Sequence, residues 1–340
     1  MKIKKELPLV EPLFSTYHNA IFSACIKDNP TIRNIYLNEN ALLTCTTKFL
    51  SGYTTPEIEI LGTSLDDTPY LEKQWVSMLF VKGYLSYVIR NMIDDGFYVY
   101  FWGVDDYYVK GKSWYKEKHF NHDGAICGYD QENKTYCIYA YDDSWVYRKF
   151  WTPQKSFDAG RIAMFEKGTY GFVCGLKPLM EKFEFSASKA LSKIQEYLAS
   201  NINKSVENKD KIYGIEVHDY IAKYVGKLYD GSIPYERMDR RVLRVIWEHK
   251  KLMYERIKCI EGELGLNSCI SIRYEQIVQE TDRLRMLYAI HHAKRRDSIL
   301  PTIQQKLLEL KEREFGLLRE LIDDSKIVFK QRSIYGDRNY

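Results

Sequence analysis

The most constraining feature of this 340-residue chain is that its hydrophobic pattern changes from one typical of helices to one typical of strands near residue 97. The run FYVYFWGV (97–104) is rich in aromatic and β-branched residues, which is typical of a buried strand. HDGAICGYD (122–130) and KTYCIYAYD (134–142) follow as two strands, and the polar residues between them indicate a hairpin turn. WVYRKF (145–150) and TYGFVCGLK (169–177) predict two more strands. This part of the chain is therefore expected to form an antiparallel sheet.

Helical patterns lie on both sides of these strands. Residues 17–27 carry an apolar helical pattern, and Pro69 to Asp95 predicts one long helix. The second half of the chain is expected to be helical to its end, with apolar stripes in 237–264 and 301–323 that are typical of a helix bundle. We therefore predict an α+β domain over residues 1–180, with N-terminal helices and an antiparallel sheet, followed by an all-α helical domain over 181–340.

Composition excludes several classes of protein. Hydrophobic residues make up 45% and charged residues 28% of the chain, which is ordinary for soluble globular domains. A net charge of +4 is too small to predict nucleic-acid binding, and no run approaches the ~18 apolar residues of a membrane span. Seven scattered cysteines predict free thiols in a reducing compartment and supply no zinc-ligand cluster. The opening MKIKKELPLVEP lacks the apolar run of a signal peptide, so a cytoplasmic location is expected.

His122 with Asp142 is the strongest candidate for chemistry. A nucleophile that attacks a carbonyl needs a nearby base, and the base needs a third group that fixes its tautomer. Counting across the turn near 130–134 pairs residue 122 with about residue 142, so we predict that the two side chains touch. Asp143 is adjacent, but a one-residue shift places it on the other face of the sheet.

The plainer alternative is that His122 is a surface histidine at the start of a strand. His119, His291 and His292 are expected to have only structural roles. Periodicity by itself does not decide between the two interpretations of His122.

The run VDDYYVKGKSWYKEKHFNHDGAICGYDQENKTYCIYAYDD resembles the histidine-containing hairpin of papain-like proteins related to the butirosin-biosynthesis acyltransferase. Relatives of that enzyme accompany nonribosomal peptide and thioamide assembly, as in closthioamide biosynthesis. MIDDGFYVYFWGVDD looks like the strand before that hairpin, and YGIEVHDYI (213–221), DRRVLRVIWEHKKLMYERI (239–257) and the last helix, with Glu314, look like the helical domain of the family. The similarity spans roughly residues 12–325, and the HxGxxxGYD hairpin is its most specific part.

This resemblance implies a papain-like fold with a Cys-His-Asp triad. Such a triad would take an acyl group from a carrier-protein thioester and pass it to a small-molecule amine. Phosphopantetheine would enter as part of the carrier-protein substrate, so no resident cofactor or metal is expected. The family cysteine lies at the start of the first helix, where the helix dipole lowers the thiol pKa and the first amides stabilise an oxyanion.

The chain departs from this pattern at the nucleophile. Aligning the first helix with the family's Cys-aromatic-aromatic-Asn entry places Thr16 in the position of the cysteine. Cys25 would lie ~13 Å further along a helix and on the opposite face, so it cannot substitute. Three explanations stay open: an engineered substitution at position 16, a different alignment of this helix, or a homologue that has lost catalysis.

Two basic clusters and one aromatic loop could contact a partner or substrate. Arg237, Arg240, Arg241 and Arg244 form one cluster, and residues 294–296 form the other. Both could attract an acidic carrier protein or its phosphate, although a solvated helix face with (i, i+4) partners explains them equally. The tyrosine-rich loop 106–115 could line an acyl channel or simply pack onto a neighbouring strand. No Gly-rich phosphate-binding loop is present.

The leading hypothesis is therefore an acyltransferase or amide-forming enzyme of nonribosomal peptide-type biosynthesis, with Thr16, His122 and Asp142 as its site. The first alternative is a cysteine-peptidase-like amidase or thioesterase that uses the same residues. The second is an inactive homologue that only binds a carrier protein.

Overall fold

The structure is a computed structural model that describes residues 4–9, 30–51, 55–61, 71–169, 171–179, 183–200 and 210–336. In chain order the strands are β1 (Lys4–Glu6), β2 (Leu42–Thr46), β3 (Ile58–Leu61), β4 (Leu71–Ser77), β5 (Tyr98–Asp105), β6 (Asn121–Asp130), β7 (Thr135–Tyr141), β8 (Tyr147–Pro153), β9 (Phe172–Pro178) and β10 (Lys211–Tyr213). The helices are α1 (Pro30–Glu39), α2 (Met78–Val81), α3 (Leu85–Asp94), α4 (Gln154–Glu166), α5 (Ala187–Ala199), α6 (Val217–Tyr229), α7 (Val242–Leu264), α8 (Ile270–Lys294) and α9 (Leu300–Gly336). The chain is of mixed α+β class.

The first compact unit contains the described residues 4–9, 30–32, 71–169 and 171–179. Its antiparallel sheet has the order β4-β9-β5-β6-β7-β8, and β1 pairs with the end of β6. The hairpin β6–β7 turns at residues 131–134, as predicted, and the side chain of Asp130 accepts a hydrogen bond from the amide of Asn133 at 2.9 Å. β5 is the central strand of this sheet, and its aromatic residues supply much of the core.

The long helix predicted over Pro69 to Asp95 is wrong in its first part. Leu71 to Ser77 form β4, which pairs along its whole length with β9. Trp75 stacks on Trp102 of β5 with a 4.7 Å distance between the ring centroids. Ser77 then caps the start of α2 by accepting a hydrogen bond from the amide of Leu79. Pairing with β9 therefore prevails over the local helical pattern.

The second compact unit contains the described residues 33–51, 55–61, 183–200 and 210–336. It is not all-α, because β10, β2 and β3 form a three-stranded antiparallel sheet beside its helices. The compact units do not follow the predicted contiguous division at residue 180, because the described residues 33–51 and 55–61 cluster with the C-terminal half. The register joins Ile212 to Cys45, two residues far apart in the chain, and a local sequence pattern does not report such a pairing.

The helices of this second unit follow the predicted apolar stripes. All the stripe residues predicted on α7 are buried: Val242, Ile246, Met253, Ile257, Ile260 and Leu264. On α9 the stripe includes Leu307 and Leu310, and it also places the carboxylate of Glu314 in the interior. Among the helices that the structure describes, none is long and apolar enough to cross a membrane. The helix predicted over 17–27, with Thr16 and Cys25, lies outside the described residues.

Candidate active site

The candidate site lies where β5 ends and the chain returns to β6. A short 3₁₀ turn, Asp106–Tyr108, follows β5, and the amide of Asp106 donates to the carbonyl of Phe120 at 2.8 Å. Asp105 accepts hydrogen bonds from the amides of Tyr107 and Phe120, both at 3.3 Å. The two ends of the loop between β5 and β6 are thus held together directly beside His122.

Asp106 is the carboxylate that meets His122. The Nδ1 atom of His122 contacts Oδ2 of Asp106, whose side chain is completely buried. A carboxylate only accepts hydrogen bonds, so this contact favours the tautomer with its proton on Nδ1. Nε2 then carries the lone pair, and the structure shows it bonded to no described residue. A histidine held in this way can take up a proton and return it.

The predicted contact between His122 and Asp142 is wrong. The carboxylate of Asp142 accepts from the amides of Ser144 and Val146, each at 2.9 Å, and from Nε of Arg148. Burial would raise the pKa of Asp142, but these hydrogen bonds lower it below its ordinary value. Asp142 therefore fixes the turn between β7 and β8. The imidazole turns instead toward the β5 side, where Val104 is the register partner of His122.

A buried lysine completes the group around Asp106. Nζ of Lys112 lies 3.5 Å from Oδ1 of Asp106, and the Lys112 side chain is 1% exposed. Burial lowers the pKa of Lys112, while the charges of Asp106, Asp123 and Asp142 oppose that shift. Residue 112 lies in a polar loop, so the sequence predicted no such burial.

Aromatic side chains surround the imidazole of His122. Phe120 meets it edge to face at a 4.6 Å distance between the ring centroids, and Trp145 does so at 5.7 Å. Tyr141 lies at 6.5 Å. The His122 side chain remains 19% exposed, so one part of the ring is open. Apolar walls beside an open imidazole suit a substrate with an apolar part.

Asp105 and His119 form a second Asp–His pair beside the first. Oδ2 of Asp105 lies 2.7 Å from Nδ1 of His119 and 3.2 Å from Nζ of Lys167. Burial would raise the pKa of Asp105, but the hydrogen bonds from His119, Lys167 and the Tyr107 amide lower it. His119 stacks on Tyr107 at 4.4 Å and is largely exposed. These contacts give His119 a structural role in closing the loop, and they place Tyr107 of the aromatic loop on His119 rather than on His122.

Two arginines of the first basic cluster have acidic partners. Arg241 bonds Asp239 at 2.9 Å, and Arg244 bonds Glu248 at 3.2 Å. Arg295, from the second cluster, reaches Glu236 at 3.4 Å. Paired arginines of this kind are typical of an ordinary charged surface.

The roles of Asp106 and Lys112 were not predicted from the sequence. The available signal was the Asp-Asp pair that directly follows the run FYVYFWGV and begins the loop toward His122. Among the described residues, no three His, Cys, Asp or Glu side chains form a group that could hold a metal ion. Comparison of the chain with models of known protein families and with curated proteins gave no match.

Proposed function

We propose that this protein is a papain-like acyltransferase that moves an acyl or peptidyl group from a carrier-protein thioester to a small-molecule amine. The observation that carries the proposal is the Asp106–His122 contact, which leaves Nε2 of His122 open beside aromatic walls. The resemblance of the hairpin to the butirosin-type acyltransferases supplies the substrate class. The proposed setting is nonribosomal peptide-type biosynthesis in the cytoplasm.

In the proposed reaction, Asp106 replaces Asp142 as the orienting carboxylate. Nε2 of His122 takes the hydroxyl proton of Thr16 as the Thr16 oxygen attacks the thioester carbon. The C–S bond then breaks, and the pantetheine thiolate leaves with the proton from His122. An amine attacks the resulting ester, His122 takes the amine proton, and the proton returns to the Thr16 oxygen as the amide is released. Phosphopantetheine acts throughout as part of the substrate.

A carrier-binding role without catalysis is the second candidate, because a threonine hydroxyl at position 16 is a poor nucleophile compared with a thiol. Hydrolysis is the third, and it differs only in the acceptor. Acyl transfer and hydrolysis use the same open face of His122, so the reaction product separates them, and the absence of turnover identifies the binding role.

The test uses an acyl carrier protein loaded with octanoyl-phosphopantetheine and a primary amine such as putrescine. We expect amide formation by the native chain, faster transfer by Thr16→Cys, and a covalent acyl group trapped at position 16 in that variant. His122→Gln should abolish transfer, while His119→Gln, the matched control, should keep most of it. Free octanoic acid as the product would indicate hydrolysis. Carrier-protein binding with no turnover and no acyl-enzyme in either protein would indicate the binding role.

A further inference from the structure

Lys112 is the unusual residue of the candidate site. Lysine side chains are rarely buried unless they are paired, yet the Lys112 side chain is 1% exposed and lies behind Asp106. Its Nζ atom faces Oδ1 of Asp106, while Oδ2 of the same carboxylate faces His122. The three groups thus form a row in which one buried carboxylate lies between an ammonium group and an imidazole.

The backbone of the loop is shaped to hold Lys112 in this place. Gly111 has a φ of +96°, a conformation that an L side chain rarely adopts. A Cβ atom at Gly111 would also lie 2.9 Å from the ring of Phe150. The amide of Lys112 donates to the carbonyl of Val109 at 3.2 Å, and its own carbonyl accepts from the amide of Tyr115 at 3.1 Å. A tight turn therefore directs the lysine inward.

Other charges face this row from the neighbouring elements. Asp123 on β6 and Asp142 after β7 act on Lys112, and Arg148 on β8 pairs with Asp142. Lys118 of the loop lies over the ring of Phe120, at 5.8 Å from its centroid. The charges around Lys112 are thus mainly negative, and they oppose the lowering of its pKa by burial.

The second Asp–His pair provides an internal comparison. Lys167 contacts Asp105 much as Lys112 contacts Asp106, but the Lys167 side chain is 53% exposed. Water and salt screen an exposed pair, whereas a pair removed from water interacts strongly. A change of charge at residue 112 should therefore alter the electrostatic potential at His122 far more strongly than a change at residue 167 alters the potential at His119.

We infer that Lys112 is a positioning residue that keeps His122 neutral, and thus ready to accept a proton, by balancing the charge of Asp106. With an ammonium, a carboxylate and a neutral imidazole, the row has no net charge. Without the ammonium, the buried carboxylate draws a proton onto the imidazole. A hydroxyl nucleophile such as Thr16 needs a neutral base, so this role rests on the proposed function and deepens it.

The test is an NMR titration of ¹³C-histidine-labelled protein, with the His122 signal assigned through its loss in His122→Gln. In Lys112→Met the midpoint of the His122 titration should move to higher pH by about one unit or more. Lys112→Arg keeps the charge and should stay close to the native midpoint. Lys167→Met, the matched control, should leave His122 unchanged. An unchanged or lowered His122 midpoint in folded Lys112→Met would overturn the inference.

A second measurement needs no variant at residue 112. In native protein labelled with ¹³C at lysine Cε, the Lys112 signal should show a step at the His122 midpoint, and this step should vanish in His122→Gln. Absence of the step would overturn the inference even if Lys112→Met does not fold. Neither titration requires turnover. The expected coupling without acyl transfer would therefore reject only the proposed function, and transfer without the coupling would reject only the role of Lys112.

Discussion

Nδ1 of His122 contacts Oδ2 of Asp106, a carboxylate 16 residues earlier in the chain, directly after the preceding strand. The orienting acid of the candidate site therefore comes from the β5 side of His122 and not from the hairpin partner strand β7. Asp142 instead binds two amides of its own turn. This difference can be tested by a comparison of variants at these two aspartates.

Asp106→Asn should lower acyl transfer by about 10²–10⁴-fold, because an amide no longer stabilises the imidazolium and can favour the wrong tautomer. Asp142→Asn should leave transfer within about threefold of the native rate, since its carboxylate bonds the turn and Arg148. Rates are measured with the octanoyl carrier protein, and circular dichroism reports folding. A larger loss in Asp142→Asn than in Asp106→Asn would restore the original pairing.

The sequence predicted the strands of this unit better than it predicted the contacts of the site. The strands β5, β6 and β7 lie inside the sheet and β8 lies at its edge, and their aromatic and β-branched residues identify all four. β4 was mistaken for helix because LEKQWVS is short and runs directly into the helical residues after Ser77. Hairpin counting aligned the backbones of residues 122 and 142, but it could not report which way each side chain turns.

The burial of Lys112 is a feature of the site that could not be predicted from the sequence. A lysine in the polar stretch VKGKSWYKEK is expected to face water, and nothing local distinguishes it from Lys110 or Lys116. Its burial depends on the turn at Gly111 and on carboxylates from three separate segments. The same limit applies to β2, which pairs with β10 across a long sequence separation.

In the helical unit, we predict that Lys250→Met is strongly destabilising. Nζ of Lys250 lies 2.6 Å from Oε2 of Glu314, and both side chains are 0% exposed. Burial would raise the pKa of Glu314, but Lys250, His218 and His249 lower it to about 2, so the carboxylate is ionised. Loss of the lysine leaves that charge buried and unbalanced, which costs about 3–5 kcal/mol of the free energy of unfolding. Urea unfolding followed by circular dichroism measures the change.

Two further variants complete this prediction. Lys250→Met combined with Glu314→Gln removes both charges but keeps an acceptor for Tyr197, and it should recover most of the lost stability. Arg273→Met breaks an exposed ion pair with Glu320, in which Nη1 lies 2.9 Å from the carboxylate, and should cost less than about 1 kcal/mol. Equal losses in Lys250→Met and Arg273→Met would contradict the buried-charge explanation.

Gly160 allows α4 to approach the end of β5, at Asp105 and directly before Asp106. A Cβ atom at this position would lie 2.8 Å from the carbonyl oxygen of Asp105 and 2.9 Å from Cγ2 of Val104. Gly160→Ala should therefore push α4 away from the end of β5 and destabilise the first unit by about 1–3 kcal/mol. Gly168 has open space around it but a φ of +77°. The stability lost in Gly168→Ala should therefore reflect backbone strain only. The shift of the His122 NMR signal distinguishes the two: Gly160→Ala should move it, and Gly168→Ala should not.

Asp158 on α4 should make the stability of the first unit depend on pH. Burial raises the pKa of this carboxyl group to about 7, although a hydrogen bond from Tyr136 opposes the shift. Because the folded-state pKa exceeds the ordinary value of 3.8, the folded chain holds a proton that the unfolded chain releases. Stability is therefore highest below pH ~4 with respect to this group and is lost as the pH rises toward 7.

Asp158→Asn removes this titration and keeps an acceptor for the Tyr136 hydroxyl, whose oxygen lies 3.4 Å from Oδ1. Relative to the native chain, the variant should gain about 2 kcal/mol between pH 4 and pH 8, a value reduced from the full linkage because the group is partly exposed. Urea unfolding at several pH values measures the difference, with Glu132→Gln on the exposed hairpin turn as the control. A stability difference that stays constant across this range, or that favours the native chain at pH 8, would show that Asp158 ionises normally in the folded protein.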